Sequence, residues 1–301
     1  MPAVSTSAPT ASAVWQDGWY WSGDGLRLHW RELPGPPDRP ALLCLPGLTR
    51  TARDFEALGA ALAGRWRVLA VDLRGRGDSA WASDTLTYLP LTYRHDVRLL
   101  LAAARVDRFA VIGSSVGGQL ALELTLAHRD QMAGVLLNDI GPDMAPEGLS
   151  RLRANVGRQG NWPTWIHAAR DLMQRNAELY PDWGLADWLV FAKRLCRLSP
   201  AGRIIFDYDA RIADPFKLPH GDVGVDLWAA LASLKDRPVL SLRAERSDVL
   251  TAAGQKAMAK RLPEMTMVEV PRVGHAPTLA EPVAAVAVEA WLQQVLERDA
   301  R

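Results

Sequence analysis

Cysteine is scarce: the 301-residue chain has two, Cys44 and Cys196. So few cannot build a disulfide framework, and a reducing cytoplasm is the expected compartment. Cys44 lies in an apolar run and reads as a buried small hydrophobe. No stretch of about 18 consecutive apolar residues occurs, so a membrane span is not expected. Neither sign of charge accumulates. The net charge is +1, and the absence of a basic stripe argues against a nucleic-acid partner. The opening MPAVSTSAPTASA lacks the cationic start and apolar core of a signal peptide. Residues 1–16 read as a disordered tail.

Apolar residues make up 49% of the chain, enough for a large core. Segments 19–33 read as two strands around a Ser-Gly-Asp-Gly turn. Apolar runs at 41–47, 67–73, 109–115, 134–140, 238–245 and 265–270 read as buried strands. Helical spacing at 54–64, 91–106, 116–129, near 250–261 and 282–296 falls between them. Strands alternating with helices imply a mostly parallel sheet covered on both faces, with ligands beyond the carboxyl ends of its strands. Between 142 and about 235 this rhythm stops. That stretch holds clustered tryptophans and amphipathic helices such as 165–180, with no clear strand, and reads as a helical insertion.

Gly113-Ser114-Ser115-Val116-Gly117 matches G-x-S-x-G only when centred on Ser115, because Ile112 and Val116 stand where the other frame needs glycine. A strand that turns into a helix within one residue strains the backbone at the serine. It also leaves little room two positions away, which favours glycine. The hydroxyl is then lifted over the sheet at the positive end of the next helix. The alternative role of such a serine is helix capping. Ser114 is expected to pack beneath the turn.

A serine nucleophile needs a base, and the base needs an orienting carboxylate. His275, in the loop after the last strand, is the candidate base. His29 lies in the opening hairpin, His95 and His128 in helices, and His167 and His220 in the insertion. The carboxylate is expected after strand 238–245, where Asp248 is preferred to Glu245. Asp139, at the end of 134–140, is a rival acid, but is expected to tie down the loop into the insertion instead. Backbone amides of Leu48 and Val116 are the expected donors to a developing oxyanion.

With these residues in place, the chain resembles the α/β-hydrolase superfamily from about residue 17 onward. Its marks are LPGLTRTARDF (45–55), VDLRGRGDS (71–79), VIGSSVGG (111–118), LNDIGP (137–142), ERSD (245–248) and VGHAP (273–277). Pro46 departs from the histidine that the family commonly carries before the oxyanion-loop glycine. The resemblance implies an α/β fold: an eight-stranded, mostly parallel sheet flanked by helices, with a helical cap inserted after strand six. The core would comprise 17–141 and 236–301, and the cap 142–235. Trp162, Trp165, Trp183 and Trp188 read first as packing within the cap; the alternative is that one or two of them line an apolar acyl or alcohol pocket.

The segment 71–79 is similar to the carboxylesterase, enol-lactonase and haloperoxidase-like branch, with Asp72 and Arg74 expected to brace the loop as an ion pair. The implied activity is hydrolysis of a small carboxylic ester or lactone through an acyl-enzyme. Amide or carbon–carbon bond hydrolysis, or a non-catalytic small-molecule binding module, are the alternatives. The expected partner is a small-molecule substrate, with no metal or organic cofactor and no membrane; a homodimer is left open.

Overall fold

A computed structural model describes residues 14–217 and 225–300. The tail through residue 13 and His220 lie outside these residues. The chain opens with β1 (Gln16–Trp21) and β2 (Arg27–Leu33), an antiparallel hairpin. Then follow β3 (Ala41–Leu45), α1 (Glu56–Leu62), β4 (Val68–Asp72), α2 (Pro90–Ala103), β5 (Phe109–Ser114), α3 (Val116–His128) and β6 (Met132–Asn138).

The insertion carries α4 (Pro146–Asn155), α5 (Trp165–Asn176), α6 (Leu185–Leu195), β7 (Cys196–Leu198) and β8 (Ile204–Phe206). The chain returns through α7 (Leu227–Ala232), β9 (Val239–Ala244), α8 (Ala252–Arg261), β10 (Thr266–Val270) and α9 (Pro282–Asp299).

The main sheet has eight strands in the order β1-β2-β4-β3-β5-β6-β9-β10. β2 runs antiparallel to both neighbours, and every other pairing is parallel. Every residue of β3, β4, β6 and β9 is buried, because helices cover both faces. Strand alternation divides the core. Leu43, Val71, Val111 and Val135 point toward α2, α3 and α8. Leu42, Ala70, Ile112 and Leu136 point toward α1 and α9, in the cluster that continues into α5 and α6. Truncating a leucine such as Leu42 to alanine typically costs about 2–5 kcal/mol.

Two details of the insertion differ from the sequence reading. It contains an antiparallel hairpin, β7–β8, with strands of three residues each. α7 packs against α3 of the core through Ala230 and Leu231, so the cap ends before this helix. Both cysteines are free and buried. Burial raises both thiols, that of Cys196 to about 12. Among the described residues, no helix is long and apolar enough to cross a membrane.

Candidate active site

β5 gives way to α3 at Ser115, whose φ of 53° and ψ of −123° lie in a region L-residues rarely adopt. Strain of this kind costs about 1–3 kcal/mol and persists only where the surroundings enforce it. The enforcement is close packing. A Cβ on Gly113 would lie 2.4 Å from the Gly117 carbonyl oxygen, and one on Gly117 would lie 2.1 Å from the Leu45 carbonyl oxygen. Ser115 N–H donates to the Asn138 carbonyl at 3.1 Å, tying the turn to β6. Ser114 Oγ accepts from Asn138 Nδ2 at 2.8 Å.

Ser115 Oγ lies 2.8 Å from His275 Nε2. The other ring nitrogen, Nδ1, lies 2.8 Å from Asp139 Oδ2. All three residues are buried or nearly so; the His275 and Asp139 side chains are 6% and 0% exposed. Hydroxyl, imidazole and carboxylate thus form one line. Such a line can pass a proton from hydroxyl to ring while the carboxylate stabilises the charged ring.

The carboxylate is Asp139 and not Asp248. Asp139 is the first residue beyond β6, with a positive φ of 56°. Its backbone N–H donates to the Leu242 carbonyl at 2.8 Å, and its Oδ1 accepts from Ala244 N–H at 2.8 Å. Both bonds come from neighbouring β9, so the side chain is fixed at the sheet rim with Oδ2 left for His275.

Asp248 stands on a turn past β9, where Ser247 Oγ accepts from the N–H groups of Val249 and Leu250. It faces the cap, and Arg151 of α4 binds it through both carboxylate oxygens. Burial works against its charge, but this pair of hydrogen bonds from Arg151 outweighs burial and holds the carboxyl below its ordinary value.

The loop after β3 passes over the serine. A Cβ on Gly47 would be 3.6 Å from Ser115 Cβ, and Leu48 lines the cavity above the serine. Val116 is the first residue of α3, where helix N–H groups have no intrahelical acceptor. The cavity encloses about 480 Å³ between core and cap, within the range of small-molecule sites. Its walls include Ser115 and His275 with apolar Leu152, Leu172, Leu179 and Phe191.

A model of the alpha/beta hydrolase family matches residues 42–290. The chain belongs to this family. An alpha/beta hydrolase from Novosphingobium aromaticivorans superposes with a TM-score of 0.90 at 48% identity, covering 94% of this chain and all of that one. A 3-hydroxybutyrate-oligomer hydrolase from Cupriavidus necator is 29% identical, over 85% of this chain and 89% of its own length. An esterase from Mycobacterium tuberculosis shares the fold at 20% identity, with a TM-score of 0.66 and coverage of 94% and 92%.

Around this hydrolase's serine, several supports went unread in the sequence. Asn138 Nδ2 also donates to the Pro277 carbonyl at 2.8 Å, joining the β6 end to the His275 loop. Tyr180 of the cap donates from Oη to the His275 carbonyl at 3.2 Å. Fully buried Arg76 donates from Nε to the Leu48 carbonyl at 2.8 Å and from Nη1 to the Arg74 carbonyl at 2.6 Å. Its guanidinium lies 4.8 Å from the Tyr93 ring centroid. Asn138 and Arg76 both lie in segments that marked the family resemblance, yet nothing in a single sequence distinguishes a bracing side chain from a bystander.

The expected Asp72–Arg74 pair does not form. Asp72 accepts from Ala52 N–H at 2.7 Å and Asp78 N–H at 3.2 Å, and lies 2.7 Å from His29 Nδ1. Gly77, at φ 54°, passes so close that a Cβ would lie 2.4 Å from the Asp72 carboxyl carbon. Arg74 pairs instead with Asp96 and Asp24. The Arg74 bond is the main reason the Asp24 carboxyl falls to about 2.

None of the four cap tryptophans lines the cavity. Trp188 is fully buried, and Trp183 packs on Tyr180 with ring centroids 4.2 Å apart. Trp162 packs edge-on to Phe206, and Trp165, at the start of α5, packs against the same core cluster. Large rings are drawn into the cap's own core, where they remove more apolar area from water.

Proposed function

We propose that the protein hydrolyses a small carboxylic ester or lactone through an acyl-enzyme. Ser115 Oγ attacks the carbonyl carbon as His275 Nε2 takes its proton. The negative oxygen is held by the backbone amides of Leu48 and Val116. Asp139 keeps the imidazole in the productive tautomer and stabilises its charged form. The charged ring then protonates the leaving alkoxide. In the second half His275 draws a proton from water, the hydroxide attacks the acyl carbon, and the acid departs as Ser115 recovers its proton. The observation that carries this reading is the unbroken line Ser115–His275–Asp139, with both bonds at 2.8 Å.

The size of the cavity favours a compact substrate. The similarity to a 3-hydroxybutyrate-oligomer hydrolase points to an aliphatic ester. Residence in the cytoplasm accompanies the proposal as an expectation from the two unpaired cysteines. A fluorophosphonate probe is expected to modify Ser115 alone, and Ser115→Ala is expected to abolish both labelling and turnover. Labelling at another residue, or full turnover by Ser115→Ala, would overturn the proposal.

A further inference from the structure

The cavity above Ser115 is unusually basic. Arg50, Arg151, Arg158, Arg175 and Arg194 all line it, against the single carboxylate of Asp54. Three of these arginines are already neutralised. Arg50 pairs with Asp54 at 2.6 Å, Arg151 with Asp248, and Arg175 with Asp171 at 2.9 Å. Arg158 and Arg194 have no carboxylate partner among the described residues. Arg194 is half-buried, and its Nε is buried without a hydrogen-bond partner among those residues. A buried guanidinium N–H without an acceptor is costly, and an anion would satisfy it.

Both line the cavity that holds Ser115, Arg194 half-buried and Arg158 exposed. Arg194 lies in the last turn of α6, and its carbonyl accepts from Thr51 Oγ1 at 3.4 Å, in the segment that follows Leu48. One turn earlier, Phe191 lies under the Arg50 guanidinium at 4.6 Å. Arg158 follows α4, where Tyr208 Oη donates to its carbonyl at 2.7 Å. The Arg194 backbone therefore stands beside the segment after Leu48, and that of Arg158 on the α4 side of the same cavity.

Building on the ester-hydrolase reading, we infer that the substrate is an ester carrying a free carboxylate, held by Arg194 and Arg158 while its ester carbonyl lies at Ser115. The planar fork of arginine matches the two oxygens of a carboxylate. The apolar walls between would receive a short aliphatic spacer.

The test compares 3-butyryloxybutyrate with its neutral isostere, 3-butyryloxybutyramide. The two esters share the acyl group, the scissile bond and the carbon skeleton, and differ only in carrying a carboxylate or a neutral amide. The carboxylate is expected to be hydrolysed with kcat/KM at least about tenfold higher, equivalent to ~1.4 kcal/mol. Arg194→Gln combined with Arg158→Gln should bring the ratio close to one, mainly through a higher KM for the carboxylate. Arg194→Lys alone should retain part of it.

Equal turnover of the two esters by the native protein, or an unchanged ratio in the double variant, would overturn the inference and leave ester hydrolysis standing. If neither ester is turned over and the fluorophosphonate leaves Ser115 unmodified, the hydrolase reading falls instead. Calorimetry on Ser115→Ala decides the anion separately. Binding of the carboxylate at least about tenfold tighter than the amide supports it, and equal binding refutes it.

Discussion

Two strand ends offer a carboxylate near His275, and their difference shows what brings one of them to the imidazole. At the end of β6, Asp139 is locked by backbone bonds to β9 on both its amide and one carboxylate oxygen. The second oxygen then has one direction left, toward the imidazole. At the end of β9, a serine-braced turn carries Asp248 past the rim, and a cap arginine captures it. Proximity in sequence to a strand end is common to both. What separates them is whether the sheet itself fixes the side chain. One aspartate is built into the rim, and the other clamps the lid.

The sharpest way to break this comparison is to neutralise each acid in turn. Asp139→Asn is expected to lower kcat about 10⁴-fold, because the amide stabilises the wrong ring tautomer. Asp248→Asn should leave kcat within about fivefold, since its carboxylate serves an ion pair of the kind worth ~0.2–1 kcal/mol. Steady-state kinetics on a reactive aryl ester compares the two; the reverse ranking would show that the acids have been assigned backwards.

A smaller effect sharpens the role of the rim. Arg76→Met removes the donor that holds the Leu48 carbonyl. The loss of an oxyanion donor itself costs ~2.7–4 kcal/mol. Loosening the loop that carries one is expected to cost less, about tenfold in kcat, with KM little changed. An effect confined to KM would contradict a positioning role for Arg76.

The smallest effect concerns the clamp. The Asp248 carboxyl is held below its ordinary value in the folded protein. Its contribution to stability is therefore full above the unfolded carboxylate pKa, about 4, and disappears as pH falls through the lowered folded value. Native protein should exceed Asp248→Asn in stability by roughly 0.2–1 kcal/mol at pH 7, and the gap should close below about pH 4. Denaturant titrations at pH 7 and pH 3 measure it; a gap that widens at pH 3 would have the wrong sign.

Much of the core was legible because its rules are local. The runs 41–47 and 134–140 begin as unbroken apolar stretches where a parallel sheet is buried on both faces, and turn to Pro-Gly and Asn-Asp only near their carboxyl ends; β3 and β6 fill most of each. G-x-S-x-G was readable because close backbone contacts at Gly113 and Gly117 exclude a Cβ. His275 was readable from elimination among six histidines.

The misses share one cause: they depend on which elements meet across the fold. Asp24, Asp96 and His29 redirected the expected Asp72–Arg74 pair from three separate elements. The β7–β8 strands are too short to show a period. α7 lies next to the insertion in sequence but against α3 in space. The cap tryptophans follow the packing reading and not the pocket-wall alternative, a choice that composition alone leaves open.

The most direct test of the acid's identity is proton NMR of the His275 ring, in native protein and in both asparagine variants. A ring Nδ1–H donating to a buried carboxylate gives a resonance far downfield. That signal is predicted in native protein and in Asp248→Asn, and should vanish in folded Asp139→Asn. Its survival in Asp139→Asn together with its loss in Asp248→Asn would contradict the account.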